Sequence, residues 1–417
     1  MKMKKILLLF LTSLLVMLTL WGNSQVFADD FDASASHAIA VETETGKILY
    51  EKDADTPAGI ASITKILTIY MVYKQIDQGK LKWSDKVDIS DYAYDLTANS
   101  DASNVPMEAR SYTVEQLVDA AMISSANSAA IALAEKIGGS ESHFVDMMKQ
   151  QLKDWGITDA TLVNASGLNN SYLGDHIYPG SQSSDENLMS AKDVAIIAQH
   201  LITEYPDILK ITSQTTKDFD GTTQLNTYNE MLPGMSMARD GVDGLKTGTT
   251  ELAGASFVAT TTEDGMRIIT VILHADNGDE DSNARFSATN SLMTYVYNTW
   301  QMTTALTKGE RYKNSQARVI DGQAEYVPAI AKSRFRVVVR RGSTQDPTLT
   351  ISTQKVTAPI KKGDKVGKAT YKDSDLVGSG YLSQAPSVEL SAKQNVNRSF
   401  FLKVWWNHFT EWVNTSL

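Results

Sequence analysis

The sequence contains no cysteine. Disulfide frameworks, thiol nucleophiles and cysteine-ligated metals are therefore excluded together, and an extracellular address is compatible with that absence. Histidine is scarce as well. The six residues are scattered singly and no His-Glu-x-x-His occurs, so each is expected to be structural, with no metal and no cofactor. Basic charge is also in short supply: 39 Lys and Arg stand against 49 Asp and Glu, a net charge of −10. Without a basic stripe to displace counterions, nucleic acid is not an expected partner. Internal repeats and low-complexity linkers are absent. What remains is an ordinary globular composition, 42% apolar and 21% charged, over 417 residues. That length implies two or three units.

One apolar run stands out. Lys2, Lys4 and Lys5 precede an almost uninterrupted stretch from Ile6 to Leu20, and Val26-Phe27-Ala28 places small residues where a signal peptidase cuts. Residues 1–28 thus read as an export signal, with the mature chain starting at Asp29. An uncleaved N-terminal anchor is the alternative.

The rest predicts an α+β protein. Ile39 and Val41 alternate with smaller residues, Thr45-Gly46 turns, and Ile48 and Tyr50 return, which is a hairpin. A helix follows over about 62–78 and stops at Gly79. Thr113 and Gln116 form a capping box for a second apolar helix, which breaks at Ser124–Asn127 before a third. Ser140 and Ser190 have the character of further N-caps. Strands are expected at about 244–249, 256–261 and 267–274, then a closing helix rich in Leu292, Met293 and Trp300. Helices on an antiparallel sheet are the implied layers. From about residue 316 the texture turns to β. The expected units are 29–305, a β domain over 312–392, and a terminal helix over 396–417.

Three short motifs carry chemistry. In Ser62-Ile63-Thr64-Lys65, helical spacing puts hydroxyl and amine on one face. A serine needs a neighbouring base to become a nucleophile, and a helix start favours the negative charge of acyl transfer. The lysine acts as base only if burial or a second cation lowers its pKa. A Ser-x-x-Lys pair also occurs by chance, as at Ser352–Lys355, which sits in the β-rich part with nothing catalytic after it. Ser125-Ala126-Asn127 lies at a helix break, where a polar interhelical loop is the bland reading. Lys246-Thr247-Gly248-Thr249 lies on an expected strand, whose bland reading is a strand ending in a glycine bulge. Functionally, its edge would hold a peptide by strand addition, with Gly248 leaving room and Lys246 and the threonines binding a carboxylate. Together, in this order and at separations of about 60 and 120 residues, the three form the set found in penicillin-binding proteins and β-lactamases.

With these residues the chain resembles the low-molecular-mass, serine-type D-alanyl-D-alanine carboxypeptidases, particularly those of streptococci. The likeness extends to Ile60–Lys65, Ser124–Glu135, Asp243–Thr249 and the β tail domain. It implies a penicillin-binding, β-lactamase-like transpeptidase domain followed by a small all-β domain. It further implies removal of terminal D-alanine from peptidoglycan peptides and covalent capture by β-lactams. By the same resemblance, Ser62 is the nucleophile and Lys65 its base, while Ser125 and Asn127 relay the proton and contact the substrate amide. Lys246 and Thr247 lie near the substrate carboxylate, with the Ser62 and Thr249 N–H groups as oxyanion hole. Ala126, where many relatives carry glycine or aspartate, departs from the pattern. A class A β-lactamase would need a deacylating glutamate in a Glu-x-x-Leu-Asn segment, which is missing. An endopeptidase on the same fold stays open, as does a non-catalytic β-lactam-binding or wall-binding surface protein, though the latter need not keep every proton-transfer residue.

The C-terminus reads independently of that family. On a helical wheel Phe401, Leu402, Trp405, Trp406, Phe409, Trp412 and Val413 share one arc, opposite Lys403, Asn407, Thr410, Glu411 and Asn414. Residues 400–414 make a helix of about 22 Å, too short and too polar on one side to span a bilayer. Three of the seven tryptophans lie here, which favours an anchor in the plane of the membrane surface. A helix docked on the protein's own core is the alternative.

Overall fold

The computed structural model describes residues 31–416. The basic and apolar leader, with its expected cleavage after Ala28, lies outside the described residues. The hairpin forms as β1 (Ala35–Glu42) and β2 (Ile48–Lys52), with Gly46 at φ +69° in its turn. Three later strands, β3 (Val242–Thr250), β4 (Gly254–Glu263) and β5 (Met266–Ala275), complete an antiparallel sheet in the order β2-β1-β5-β4-β3. The β4–β5 turn falls at Asp264-Gly265, both at positive φ.

Both faces of the sheet are covered, and the strands show it by being apolar at successive positions. Ile269, Val271 and Leu273 join the main core with the helical block, which comprises α1 (Lys65–Asp77), α2 (Val114–Ile123), α3 (Asn127–Gly138), α4 (Glu141–Asp154) and α5 (Ala191–Glu204). The other face packs on α6 (Ala284–Thr299), where Phe257 meets Phe286 edge-on at 5.1 Å. The expected caps all form. Thr113 and Gln116 make a reciprocal capping box, Ser190 does the same with Asp193, and Ser140 accepts from the His143 N–H.

Two boundaries differ from expectation. The helix expected over 62–78 begins as a 3-10 turn, Ala61–Thr64, and becomes α-helical only at Lys65. Ala61 enters that turn at φ +44°, a left-handed conformation from which a tight turn, not a regular α-helix, follows. Trp300, expected in the closing helix, instead opens a strand, Trp300–Leu306, that pairs with Phe335–Arg340. Its β-branched Thr303 and Thr304 suit a pleated surface better than a helix.

The β domain has its own core, including Val327, Val337, Val366 and Leu390. It is joined to the domain of the five-stranded sheet by a buried ion pair. Lys47 Nζ reaches Asp373 Oδ2 at 2.6 Å, both side chains being no more than 2% exposed. The same amine lies 4.5 Å over the Trp300 ring, and Tyr381 donates to Asp373 at 2.7 Å. Backbone bonds from Ile48 to Gly380 and from Leu382 to Gly46 complete the joint. The terminal helix runs over Phe401–Ser416. It touches the body through buried Val404 and through His408, whose Nε2 lies 3.1 Å from Asp321.

Candidate active site

The site is built where three elements meet: the 3-10 turn carrying Ser62, the α2–α3 break carrying Ser125, and the edge strand β3 carrying Lys246. All three expected motifs arrive at one cleft of about 240 Å³, lined by Ser62, Ser125, Thr247, Thr249, Arg285 and others. Ser352 and Lys355, the chance copy, are exposed on and after strand Leu349–Thr353.

Lys65 is fully buried. Its Nζ lies 2.9 Å from Ser62 Oγ, 2.7 Å from Asn127 Oδ1 and 2.7 Å from the Ser166 carbonyl. The Asn127 orientation is set by its Nδ2, which donates to the Ser103 carbonyl at 2.9 Å, so the oxygen must face the lysine. Asn127 Oδ1 and the Ser166 carbonyl only accept hydrogen bonds. Were the amine neutral, they would take its two N–H bonds and leave its lone pair for Ser62. Burial holds the Lys65 pKa well below the ordinary lysine range, and the nearby Lys246 charge lowers it further.

Lys246 is also buried, and its Nζ donates to Ser125 Oγ at 2.9 Å and to the Thr247 carbonyl at 3.1 Å. Burial, then the charge of Arg285, brings it down to about 7. Arg285, on the first turn of α6, donates to Thr249 Oγ1 at 2.8 Å and to the Gly248 and Ser256 carbonyls. Burial lowers it to about 10. Among the described residues, no carboxylate pairs with Lys65, Lys246 or Arg285. Lys246 and Arg285, held on one wall without an anion, make a place for a carboxylate ligand.

Backbone strain gathers at the same point. Ala61 and Ser125 have φ of +44° and +56°, adjacent to or at a reactive hydroxyl. The Ser62 turn is also wedged. A Cβ on Gly167 would lie 1.8 Å from the Ala61 carbonyl, so only glycine lets the 164–168 loop support that turn and present the Ser166 carbonyl. Asn164, Asn187 and Glu141 hold this loop through bonds to its backbone N–H groups.

Gly248 is needed for a different reason from the one its motif suggests. A Cβ there would lie 2.6 Å from the Ile60 carbonyl, on the protein side of the strand. It lets β3 close against the turn that carries Ser62. Sequence reasoning missed Arg285, Ser166 and Ser103. A single arginine at a helix start, or a carbonyl in a loop, carries no spacing signal, and only the fold brings them to the lysines.

A serine hydroxyl beside a buried lysine freed of carboxylate partners, completed by a second serine and lysine on the opposite wall, defines a serine acyltransferase of the penicillin-binding type. The particular family follows from the comparisons. The D-alanyl-D-alanine carboxypeptidase family matches residues 24–277, and the C-terminal domain of penicillin-binding protein 5 matches residues 300–398. The chain belongs to this family of serine carboxypeptidases, which act on peptidoglycan peptides and are acylated by β-lactams. It is 29% identical to the D-alanyl-D-alanine carboxypeptidase DacC of Escherichia coli over 92% of this chain and 89% of that protein. A Streptococcus pneumoniae peptidoglycan synthesis regulatory factor, PBP3, is 51% identical, with a TM-score of 0.83 over 88% of this chain and all of that one. Penicillin-binding protein D2 of Listeria monocytogenes, solved in its ampicillin-bound form, is 30% identical, with a TM-score of 0.54 over 64% of this chain and 99% of that one.

Proposed function

We propose that Ser62 is the acyl-enzyme nucleophile and neutral Lys65 its base. The observation that carries this reading is the Lys65 environment, in which two pure acceptors consume the N–H bonds and leave the lone pair on Ser62 Oγ. As Ser62 Oγ bonds to the carbonyl carbon of the penultimate D-alanine, its proton passes to Lys65 Nζ. Lys246 and Arg285 hold the terminal carboxylate, and Thr247 and Thr249 line its approach. When the C–N bond breaks, the leaving amine takes a proton through Ser125, which is itself in contact with Lys246. Water then hydrolyses the ester and frees Ser62. The N–H groups of Ser62 and Thr249 form the oxyanion hole, a role supported by the position of β3 as the edge strand beside the Ser62 turn. Intact-protein mass spectrometry after incubation with penicillin is expected to show one added drug per chain, mapped to the Ser62 peptide. Labelling that persists in Ser62→Ala would overturn the assignment.

The terminal helix is the second part of the reading: an anchor that holds an exported enzyme at the outer face of the cytoplasmic membrane. No helix among the described residues is long and apolar enough to cross a membrane. The apolar arc is turned outward instead, with Phe401 66%, Trp405 61% and Trp412 59% exposed. A helix docked on its own core would bury that arc, whereas here Val404 and His408 face the body. Burying each such side chain in the interface is worth roughly 1.5–3 kcal/mol. A chain truncated after Asn397 is expected to hydrolyse small peptides normally and to stop sedimenting with anionic lipid vesicles. Trp405→Glu with Trp412→Glu should reproduce that loss and Asn407→Ala should not. A truncated chain that melts earlier or loses peptide hydrolysis would make the helix part of the folded body.

A further inference from the structure

Charge is divided unevenly along the chain. Residues 300–398 carry about twice as many basic as acidic side chains and residues 29–299 the reverse, so the net charge of −10 conceals two opposite signs. Part of the basic excess gathers where the terminal helix leaves the body. Segment 360–363 lies against segment 392–396 there. Ile360 and Val396 form an antiparallel bridge, the Lys362 N–H donates to Asn395 Oδ1 at 2.7 Å, and the Gly363 N–H donates to the Ala392 carbonyl at 2.9 Å.

These bonds bring Lys361, Lys362 and Lys393 together. Arg398 follows on the second segment, bridged to Gly322, and Lys403 lies in the first turn of the helix. All five residues are exposed. Among the described residues none of the three lysines is held in an ion pair, and Arg398 comes only within 3.9 Å of Asp321. The acids of the same stretch are engaged elsewhere: Asp364 accepts the Lys361 N–H at 2.7 Å, and buried Asp321 meets His408.

Exposed lysines by themselves are satisfied by water. What gives this group a partner is its place at the root of a helix whose Phe401, Trp405 and Trp412 are turned outward. Rings of that kind seat at the boundary between headgroups and acyl chains, which leaves lysines at the helix root among the lipid phosphates.

We propose that this basic collar binds the anionic headgroups of the membrane on which the helix lies, so that the β domain itself contacts lipid. The proposal rests on the anchor reading of that helix. Lysine suits the task, because a point charge on a flexible stem follows mobile phosphates without demanding a fixed geometry. The acidic excess of residues 29–299 is repelled by the same surface, which favours approach by the β domain.

The test is sedimentation of the chain from Asp29 onward with vesicles of phosphatidylcholine alone and with equimolar phosphatidylglycerol added, at about 0.15 M salt. Binding to the anionic vesicles is expected to be at least about tenfold tighter, and to weaken as salt is raised to about 0.5 M. Lys361→Gln, Lys362→Gln and Lys393→Gln together should weaken binding to the anionic vesicles by about tenfold or more. Binding to phosphatidylcholine, the melting temperature and penicillin acylation should stay as in the wild type. Trp405→Glu with Trp412→Glu should instead lose binding to both kinds of vesicle. Equal binding of the wild type to the two kinds would keep the anchor and overturn the collar, as would an anionic preference that survives in the triple variant. Binding to neither kind would overturn the collar together with the anchor. A triple variant that loses binding to soluble polyphosphate but none to vesicles would assign the lysines to a soluble polyanion and overturn the lipid proposal.

Discussion

Lys65 in the catalytic cleft and Lys47 at the domain joint are both completely buried, yet their surroundings ask opposite things of them. Burial lowers the pKa of each. At the joint Asp373 works against that shift, and the pair pins two domains together. In the cleft the nearest charge is another lysine, which pushes the same way as burial, as the base proposed for Ser62 requires. Depth alone makes neither a catalyst nor a rivet; the sign of the nearest charge does.

Identical substitutions should separate the two. Lys65→Met is expected to slow penicillin acylation by about 10²–10⁴-fold, since among the described residues no other base is hydrogen-bonded to Ser62. Lys47→Met should leave acylation near wild type at low temperature. It strands the Asp373 carboxylate, and denaturant unfolding should show a loss of about 3–5 kcal/mol. Comparable acylation by the two variants would erase the contrast. Asp373→Asn sharpens it, because only the weaker charge of Asp375 then opposes burial at Lys47. Its folded-state pKa falls further, so the folded form binds fewer protons than the unfolded one. Stability is then expected to be lower at pH 7 than in the wild type and to recover as pH rises toward the unfolded lysine value. A variant whose stability is flat over that range would show that Asp373 is not what keeps Lys47 charged. The smallest effect concerns Lys246, held at about 7 partly by Arg285. The rate of acylation should rise with pH as Lys65 loses its proton and fall as Lys246 loses its own. In Arg285→Gln the falling limb should move to higher pH, because a neighbouring positive charge has gone. An unmoved or lowered limb would remove Lys246 from the carboxylate-binding role.

Much of this was legible in the sequence, for physical reasons. Ser62 and Lys65 stand at a spacing that puts a hydroxyl and an amine on one face, and with Ser125, Asn127 and Lys246 they form a motif set that short stretches of sequence display. Thr113, Ser140 and Ser190 mark helix starts through local hydrogen bonds, which short stretches of sequence encode. The parts that were not legible depend on tertiary approach. Arg285 reaches the site from 37 residues beyond the Gly248 carbonyl it binds, and Ser166 meets Lys65 from 101 residues away. Gly248 shows the same limit, since its need for glycine comes from Ile60, on a distant turn. The strand from Trp300 was hidden for another reason. It follows α6 without a break and already belongs to the C-terminal domain, where its partner strand Phe335–Arg340 lies further along the chain.

The unpaired cations of the cleft also have a thermodynamic consequence. With Lys246 poised at about 7, the empty enzyme near neutrality carries it partly deprotonated. A carboxylate arriving beside it favours the charged form and raises its pKa, so docking must draw a fraction of a proton out of the buffer. The heat of substrate-analogue binding should therefore depend on the ionisation enthalpy of the buffer used, and the affinity should fall as the solution becomes more alkaline. The cleft would then take up a proton together with its ligand, and the acidity of the surrounding solution would become part of its affinity.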